Sequence, residues 1–235
     1  LSSSSAASDV YKRQPYPTPV EQKAKVLPKI FFLPGEIYFN TFKFFNSKLK
    51  TELAPAFRFS YINNIKIKKD VYNNILVCLD GVTLKDDLNV IKTIYSLKSN
   101  LGNVNFTIKP HPCINMKLIN NHLDRKYSES LNYTESDFSE SISKTNILIS
   151  NGVTSVCIET LLLGIPVIII AKNNGFTYSP INNNGELLSV CYTVDEIHSS
   201  INKYLNMESN IDKINIEQYI QPIDRTMIKT MLTYK

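Results

Sequence analysis

From residue 74 onward, short apolar runs alternate with amphipathic stretches, and this alternation constrains the fold more than any other feature of the sequence. The first run, 75–79, leads into Asp80-Gly81 and then into apolar residues at helical spacing over 84–97. Similar apolar runs recur at 104–108, 147–149, 166–170 and 188–191, and helix patterns recur at 153–163 and 194–205. Strand and helix patterns that alternate at this spacing predict βα units.

The strand patterns at 75–79, 147–149 and 166–170 are continuously apolar and do not alternate between apolar and polar residues. Such strands are typical of a sheet that helices cover on both faces. We therefore expect an α/β fold with a doubly wound, mostly parallel Rossmann-like sheet. A further strand pattern at 130–133 and helix patterns at 137–143 and 214–232 complete the predicted domain.

The residues before 74 follow a different pattern. Residues 1–14 are rich in serine and alanine and lack an apolar core, so we interpret them as a non-native leader and not as a signal peptide. Residues 15–73 contain many prolines and aromatic clusters, and we interpret them as the remnant of an N-terminal domain with a linker. The folded domain is expected to cover 74–235.

Composition narrows the class of protein. With 43% hydrophobic and 20% charged residues, the chain resembles an ordinary globular protein. Its longest apolar stretch, 153–171, is interrupted too often for a membrane-spanning helix. The net charge of +5 comes from scattered lysines without a nucleic-acid-binding motif, so we expect no nucleic-acid partner. A basic surface does suit nucleotides, anionic sugars and the cytoplasmic face of a membrane.

The cysteines form no CxxC pair, which argues against a zinc site or a redox motif. They are Cys78, Cys113, Cys157 and Cys191. Three of them lie in or beside apolar strand or helix patterns. We expect the cysteines to be small buried hydrophobic residues in a reducing cytosol.

Ligands of open α/β sheets bind at the carboxyl ends of the strands, so the residues that follow each apolar run are the candidates for a site. One such segment is Ser150-Asn151-Gly152-Val153-Thr154-Ser155, which leads into a helix that begins near Thr154 or Ser155. Backbone N–H groups, hydroxyls and the positive end of the helix dipole meet there and would bind an anion. The alternative is that Thr154 or Ser155 only caps the helix.

A second segment at the same predicted edge is Lys109-Pro110-His111-Pro112. Lys109 and His111 can both donate hydrogen bonds to a phosphate, and the two prolines stiffen the turn that presents them. A lone histidine after a strand is often structural. Its position opposite a serine- and threonine-rich anion loop favours a ligand role for His111.

Glu159 follows Ser155 by one helical turn in an otherwise apolar helix, where an unpaired carboxylate would be costly. It either hydrogen-bonds a ligand hydroxyl, such as a ribose diol, or faces solvent on a partly exposed helix. We favour the ligand interpretation.

Together with Leu163-Gly164-Ile165-Pro166-Val167-Ile168, these segments resemble the C-terminal, donor-binding domain of GT-B glycosyltransferases that build surface polysaccharides. The match is closest to bacterial sialyltransferases, polysialyltransferases and capsule Kdo transferases, which use CMP-activated acidic sugars. In those families a His-Pro pair and a Ser/Thr-Ser pair hold the donor phosphate, and they correspond to His111-Pro112 and Thr154-Ser155. Glu159 corresponds to the acidic helix residue that often contacts the donor ribose.

The resemblance implies that 74–235 is a nucleotide-sugar-binding domain of an enzyme that transfers an acidic sugar to a glycan or glycolipid acceptor. The enzyme would work in the bacterial cytoplasm, with peripheral association at the inner face of the membrane, and without a metal or another cofactor. His111 would stabilise or protonate the leaving phosphate. The residues expected to bind the donor are Lys109, Pro112, Ser150, Asn151, Gly152, Thr154, Ser155 and Glu159.

One motif departs from the sialyltransferase pattern. Those families carry two adjacent acidic residues before a glycine in the N-terminal domain, where they supply the general base. Leu79-Asp80-Gly81 has one acid and follows the first strand of the predicted C-terminal domain. Asp80 is therefore expected to cap a loop, and the base stays unassigned. Because a complete enzyme of this type needs two Rossmann-like domains, we expect a fragment that binds a nucleotide weakly and does not transfer sugar alone.

Three alternatives remain open from the sequence. CDP-glycerol or polyol phosphotransferases share a similar order of motifs, and UDP-sugar epimerases share the architecture. A non-catalytic module that binds a nucleotide or a sugar would need no general base.

Overall fold

The computed structural model of the chain describes residues 19–68, 73–114, 116–152, 154–172, 186–207, 221 and 223–233. The chain packs as two compact units, one formed by 61–214 and the other by 1–60 together with 215–235. The sequence placed this boundary near 74 and assigned the whole C-terminal part to the second domain. The structure instead groups the C-terminal residues with the first unit.

In chain order, the described helices and strands are α1 (Pro19–Lys23), β1 (Phe31–Leu33), α2 (Ile37–Phe45), β2 (Thr51–Leu53), a 3₁₀ helix (Phe57–Asn64), β3 (Asn74–Cys78), α3 (Leu84–Asn100), β4 (Asn105–Lys109), α4 (Met116–His122), α5 (Arg125–Ser128), β5 (Asn132–Tyr133), α6 (Phe138–Ile142), β6 (Ile147–Ser150), α7 (Ser155–Leu162), β7 (Val167–Ile170), β8 (Leu188–Cys191), α8 (Val194–Leu205) and α9 (Arg225–Thr233).

A six-stranded sheet forms the centre of unit 61–214, in the order β5-β4-β3-β6-β7-β8. All neighbouring strands pair in parallel. From β3 the chain proceeds outward through β4 to β5, and it then returns to β6 on the other side of β3. This reversal between β3 and β6 is the topological switch point of a doubly wound sheet. The predicted fold class is confirmed.

The main hydrophobic core lies on one face of this sheet. Ile75 and Val77 of β3, Phe106 of β4 and Ile147 and Ile149 of β6 point into it and are almost completely buried. The buried faces of α3 and α8 cover these side chains. Both helices begin with a threonine that caps them, which fixes where each helix starts above the sheet.

The opposite face of the sheet carries a cross-strand row of different character. Cys78 of β3 pairs with Lys109 of β4 and with Ser150 of β6, and Ser150 pairs with Ile169 of β7. Paired residues of parallel strands project from the same face. The row therefore brings a lysine, a thiol and a hydroxyl together near the carboxyl edge of the sheet.

The other unit contains a two-stranded parallel sheet, in which Phe31 of β1 pairs with Thr51 of β2. Backbone hydrogen bonds attach the C-terminal part of the chain to it, because Gln221 N–H donates to the Pro34 carbonyl at 2.6 Å and the Gln221 carbonyl accepts from Ala56 N–H at 3.0 Å. Phe32 of β1, Leu53 of β2 and Met227 and Met231 of α9 line one cavity of about 440 Å³. These contacts explain why the C-terminal residues do not belong to the larger unit.

Several element boundaries differ from those predicted. The helix expected from 153 begins at Ser155, and only 225–232 of the helix expected over 214–232 is helical among the described residues, since 221, 223 and 224 are not. Residues 208–220 lie outside the described part of the chain. The short helices α4 and α5 were not predicted, because each buries too few side chains to leave an apolar pattern. Within the described ranges, no helix combines the length and hydropathy that a membrane span needs.

Candidate functional site

The loops that carry the predicted ligand residues lie next to each other at the carboxyl edge of the sheet. The loop after β3 contains Asp80 and Gly81, and it lies between the His111 loop after β4 and the 150–154 loop after β6. Two close approaches show this order. A Cβ added to Gly81 would lie 2.7 Å from His111 Cβ, and one added to Gly152 would lie 2.9 Å from Asp80 Oδ2.

Asn151 joins the two loops that flank the switch point. Its Oδ1 accepts a hydrogen bond from Asp80 N–H at 2.8 Å, and its Nδ2 donates to Asp87 Oδ1 at 2.9 Å. Asn151 is 9% exposed and Asp87 is fully buried. From the sequence, Asn151 was expected to bind the donor. In the structure its amide instead joins the loop after β3 to the first turn of α3.

Asp87 belongs to the first turn of α3 and was not singled out from the sequence. Its burial raises the pKa of its carboxyl, and the nearby charge of Asp80 raises it further, while the hydrogen bond from Asn151 opposes both effects. Sequence patterns gave no signal for this pair, because 64 residues separate Asn151 from Asp87.

Ser150 and Gly152 form a tight turn at the end of β6. Ser150 is fully buried, and its Oγ donates to the Gly152 carbonyl at 2.9 Å. A side chain in place of Gly152 would crowd the Asp80 carboxylate, which would have to shift. Both residues were predicted to bind the donor. In the structure the Ser150 hydroxyl instead stabilises the turn, and Gly152 takes part in it through its backbone carbonyl. Val153 lies outside the described residues.

Thr154 occupies the N-cap position of α7, but its side chain makes no capping hydrogen bond. Its Oγ1 is buried and has no hydrogen-bond partner among the described residues. Burial raises the pKa of the neighbouring Cys157 thiol, and the Thr154 hydroxyl opposes this effect without reaching hydrogen-bond geometry. The alternative that Thr154 caps the helix is therefore wrong for its side chain. Ser155 is the first residue of the helix.

His111 packs against Gly81, whose φ of +69° places it in the left-handed region that glycine favours. His111 Nδ1 accepts a hydrogen bond from Cys113 N–H at 3.2 Å. A neutral imidazole whose Nδ1 is an acceptor carries its hydrogen on Nε2. The half-buried side chain thus has Nε2 as its donor, and Pro112 beside it is exposed.

Lys109 projects from the face of the sheet opposite the main hydrophobic core, where it lies in the cross-strand row with Cys78. Its ammonium donates to the backbone carbonyl of Ser136. In this arrangement Lys109 attaches the 134–136 loop to β4. It would attract an anion at the sheet edge through its charge and would not contact the anion directly.

Glu159 is buried, with 4% of its surface exposed. Its Oε2 accepts a hydrogen bond from the hydroxyl of Tyr61 at 2.5 Å. The alternative in which Glu159 faces solvent is therefore wrong. The sequence also missed Tyr61, which is 98 residues away and lies in the 3₁₀ helix before β3.

Two thiols beside the site, those of Cys78 and Cys157, are buried, and burial raises the pKa of both. Burial raises the pKa of the Cys78 thiol to about 12, and Cys157 and Glu159 raise it as well, against a lowering by Lys109. Cys78, Cys157 and Cys191 are buried, as expected, whereas Cys113 is exposed. In the described part of the chain, no group of three or more His, Cys, Asp or Glu side chains has the arrangement of a metal site.

Comparison with known proteins gives the fold and not the family. No protein-family model matches the chain, and no curated protein matches it. Among solved structures, S. aureus MnaA with UDP aligns with a TM-score of 0.57 and 10% identity, over 88% of this chain and 58% of that one. UDP-GlcNAc 2-epimerase from Methanocaldococcus jannaschii aligns with a TM-score of 0.55 and 14% identity, over 88% and 63%.

A variant of S. aureus TarM in complex with fondaparinux, alpha-GlcNAc-glycerol and UDP aligns with a TM-score of 0.51 and 13% identity, over 86% of this chain and 42% of that one. The chain spans less than two thirds of each of these three structures. The likeness places the chain in the GT-B type of α/β fold, with a Rossmann-like parallel sheet and flanking helices.

Proposed function

We propose that this chain binds the nucleotide of an activated sugar at the carboxyl edge of β3, β4 and β6, as the donor-binding domain of a glycosyltransferase. The observation that carries the proposal is the start of α7. This helix begins beside the topological switch point, its N-cap threonine makes no side-chain capping hydrogen bond, and its first turn contains no acidic residue. A donor phosphate would complement the positive end of the helix dipole there.

The neighbouring loops add groups that suit a leaving phosphate. His111 Nε2 supplies an N–H donor from the loop after β4, and the Thr154 hydroxyl supplies a buried donor that has no partner within the described residues. Hydrogen-bond donors fixed in place before the reaction stabilise charge that develops in the transition state. Negative charge grows on the nucleotide phosphate as the sugar departs, so His111 would stabilise that charge or donate a proton to it.

Two observations favour different donors. The His-Pro and Thr-Ser motifs resemble those of enzymes that use CMP-linked acidic sugars, which favours a role in bacterial surface polysaccharide synthesis with a glycan or glycolipid acceptor at the inner face of the membrane. The fold is shared with proteins whose structures contain UDP and with a UDP-GlcNAc 2-epimerase, which favours a UDP-sugar donor or an epimerase as the second candidate.

A thermal-unfolding series with CMP, CDP-glycerol, UDP and UDP-GlcNAc tests the proposal and ranks these donors. A ligand that binds the folded state raises its stability by RT ln(1 + [L]/Kd), about 2.7 kcal/mol at a hundred times Kd. We expect at least one of these nucleotides to raise Tm with concentration, while inorganic phosphate at equal ionic strength does so much less. Equal responses to phosphate and to all four nucleotides would contradict the proposal.

A matched pair of variants assigns the binding to the start of α7. Ser155 and Val194 are the first residues of α7 and α8, and both follow an N-cap threonine. Ser155→Asp places a carboxylate where the phosphate is proposed to bind, so it should abolish the nucleotide-induced rise in Tm. Val194→Asp places the same charge at a distant helix start and should leave that rise unchanged.

A further inference from the structure

Unit 61–214 contains a cavity on the face of the sheet opposite the main hydrophobic core. It has a volume of about 270 Å³ and lies between β3, β4 and α6. Leu76 and Thr145 are buried at its floor together with the half-buried Thr107, whereas Asn105 and Glu140 at its rim are exposed. The cavity is therefore open to solvent, and a small ligand can reach its floor.

This cavity is separate from the proposed phosphate site. Asn74 and Asn105, the first residues of β3 and β4, line it, so it lies toward the amino ends of the strands. Lys109 at the carboxyl end of β4 is four residues further along, which corresponds to about 13 Å of strand. The described residues that line the cavity include none of those expected to bind the donor.

The sequence of β4 explains why this part of the sheet is polar. Phe106 and Ile108 point into the main core, so Asn105 and Thr107 project from the opposite face. The helix on that side, α6, has only five residues and buries one of them, Ile142. It therefore covers little of the face, and β4 contributes an amide and a hydroxyl to the cavity where a covered strand would carry apolar side chains.

Several neutral polar groups of the lining can bind a ligand. The Thr107 hydroxyl has no hydrogen-bond partner among the described residues. The Thr134 hydroxyl accepts a hydrogen bond from Ser136 N–H at 3.2 Å, which leaves its own hydrogen for another acceptor. Asn105 Nδ2 donates to Asn74 Oδ1 at 3.2 Å, which orients both amides. The cavity thus offers donors and acceptors that suit the hydroxyls of a ligand.

The two charged side chains of the lining form an ion pair at the rim. Lys144 Nζ lies 3.2 Å from Glu140 Oε1, and Lys144, followed by Ser136, lowers the pKa of the Glu140 carboxyl. The charge of Lys68 acts on Glu140 less than that of Lys144 does. Because the opposite charges of the pair offset each other, the rim presents a strong acceptor beside a strong donor and does not favour a ligand with a net charge.

We infer that this cavity binds a small neutral polyhydroxy compound, either a single sugar ring or an open-chain polyol. The inference goes beyond the proposed function and does not depend on nucleotide binding. The volume of about 270 Å³ lies just below the range of roughly 300–1,000 Å³ for ligand pockets, which suits one ring better than a nucleotide. Neighbouring hydroxyls of the ligand would donate to Glu140 and accept from Lys144, and charge-assisted hydrogen bonds of this kind are stronger than neutral ones.

Nitrogen-15 NMR of the whole chain tests the inference, because the side-chain amides of Asn74 and Asn105 give signals of their own. The probes are glucose and ribitol, each compared with the acid of the same carbon skeleton, glucuronate or ribonate. Ligands of this size bind with a Kd on the order of 1 mM. We expect saturable shifts of both amides with glucose or ribitol, and several-fold weaker binding of the corresponding acid.

A matched pair of variants assigns the binding to the floor of the cavity. Thr107→Val replaces the hydroxyl with a methyl group of similar shape, and it should raise the Kd of the neutral ligand by roughly two- to tenfold. Thr93→Val is the control, because Thr93 is also half-buried in the same unit but belongs to α3, which covers the other face of the sheet. It should leave the Kd unchanged.

Glu140→Gln provides a second test at the rim. Glu140 is exposed, so this variant can be measured even if Thr107→Val does not fold. It keeps the shape of the side chain but removes the charged acceptor and the partner of Lys144. The affinity for the neutral ligand should fall by roughly fivefold, while the affinity for its acid should rise. A purely structural role of Glu140 would change both affinities in the same direction.

The unmodified chain alone can overturn the inference. If neither glucose nor ribitol shifts the Asn74 and Asn105 amides saturably up to roughly 50 mM, well above the expected Kd, the cavity holds water only. Shifts confined to Gly81 and Asn151 would place the ligand at the carboxyl edge instead, and tighter binding of the acid than of the neutral ligand would contradict the proposed chemistry.

The variants give a further way to overturn it. The inference fails if a folded Thr107→Val binds the neutral ligand as tightly as Thr93→Val does, or if Glu140→Gln leaves the preference for the neutral ligand unchanged. A chain that binds none of the nucleotides would contradict the proposed function, and it would leave the result for glucose and ribitol as it stands.

Discussion

The helices α7 and α8 both begin after a threonine, yet the two threonines serve their helices differently. Thr193 accepts a hydrogen bond from Glu196 N–H, and Glu196 Oε2 accepts one from Thr193 N–H, which completes a capping box at the start of α8. Thr154 makes no such bond at the start of α7, and its hydroxyl has no partner among the described residues.

The two helix starts also differ in charge. The first turn of α8 contains Asp195 and Glu196, which complement the positive end of the helix dipole, whereas the first turn of α7 contains no acidic residue. The helix away from the switch point satisfies its own N-terminus. Beside the switch point, neither a side-chain cap nor an acidic residue complements the start of α7, and Asn151 fixes the loop before it.

The largest effect is expected for Asn151, because its two hydrogen bonds fix the loop that leads into α7. Asn151→Ala leaves Asp80 N–H and the buried Asp87 carboxyl without their partner. Each loss costs about 1–3 kcal/mol, so the free energy of unfolding should fall by about 2–6 kcal/mol in urea titrations. Asn103→Ala, in an exposed loop, is the control and should change it by less than about 0.5 kcal/mol. Equal stability of the two variants would show that the loop is held by other contacts.

The next effect concerns the ligand that α7 is proposed to bind. His111→Ala removes the Nε2 donor, so nucleotide affinity in calorimetry should fall by roughly tenfold or more, as expected for a lost hydrogen bond to a charged group. His122→Ala, at the exposed end of α4, should leave the affinity unchanged. If both variants bind alike, His111 is a structural residue that packs on Gly81.

The sequence sufficed for the strands of the sheet and for the set of loops at its carboxyl edge. Runs such as 147–149 are apolar because both faces of the sheet are covered, and this constraint is local enough to read from the residues. The roles of individual loop residues were not local. Asn151 hydrogen-bonds Asp80 and Asp87, which are 71 and 64 residues away. The sequence alone could not show whether its amide binds a ligand or joins two parts of the protein.

Glu159 illustrates the same limit within a helix. The sequence showed that an acid in an apolar helix needs a donor, but it could not show which donor the fold supplies. Tyr61 lies before the sheet, in a part of the sequence that shows neither a helical nor a strand period. Only the tertiary structure brings it next to α7. The structure also places the start of the larger unit at 61, whereas the sequence predicted it near 74.

A smaller effect is expected where the cap is complete. Thr193→Val removes the hydroxyl of the α8 capping box, and the loss of an N-cap hydroxyl costs about 0.5–2 kcal/mol. Urea unfolding should show this loss, while nucleotide affinity should stay unchanged because α8 starts away from the switch point. An equal loss of affinity would mean that the variant disturbs the whole domain.

The smallest effect, and the most specific one, is expected for Thr154→Val. Valine has nearly the same shape as threonine, and the hydroxyl that it replaces is buried without a partner among the described residues. Since no capping bond is lost, the free energy of unfolding should stay within about 0.5 kcal/mol of the unmodified value or rise slightly. Nucleotide affinity should nevertheless fall by roughly two- to tenfold, the range for one hydrogen bond of about 0.5–1.5 kcal/mol. A stability loss equal to that of Thr193→Val, with affinity unchanged, would show that the two threonines serve their helices alike and that the start of α7 is not kept open for a phosphate.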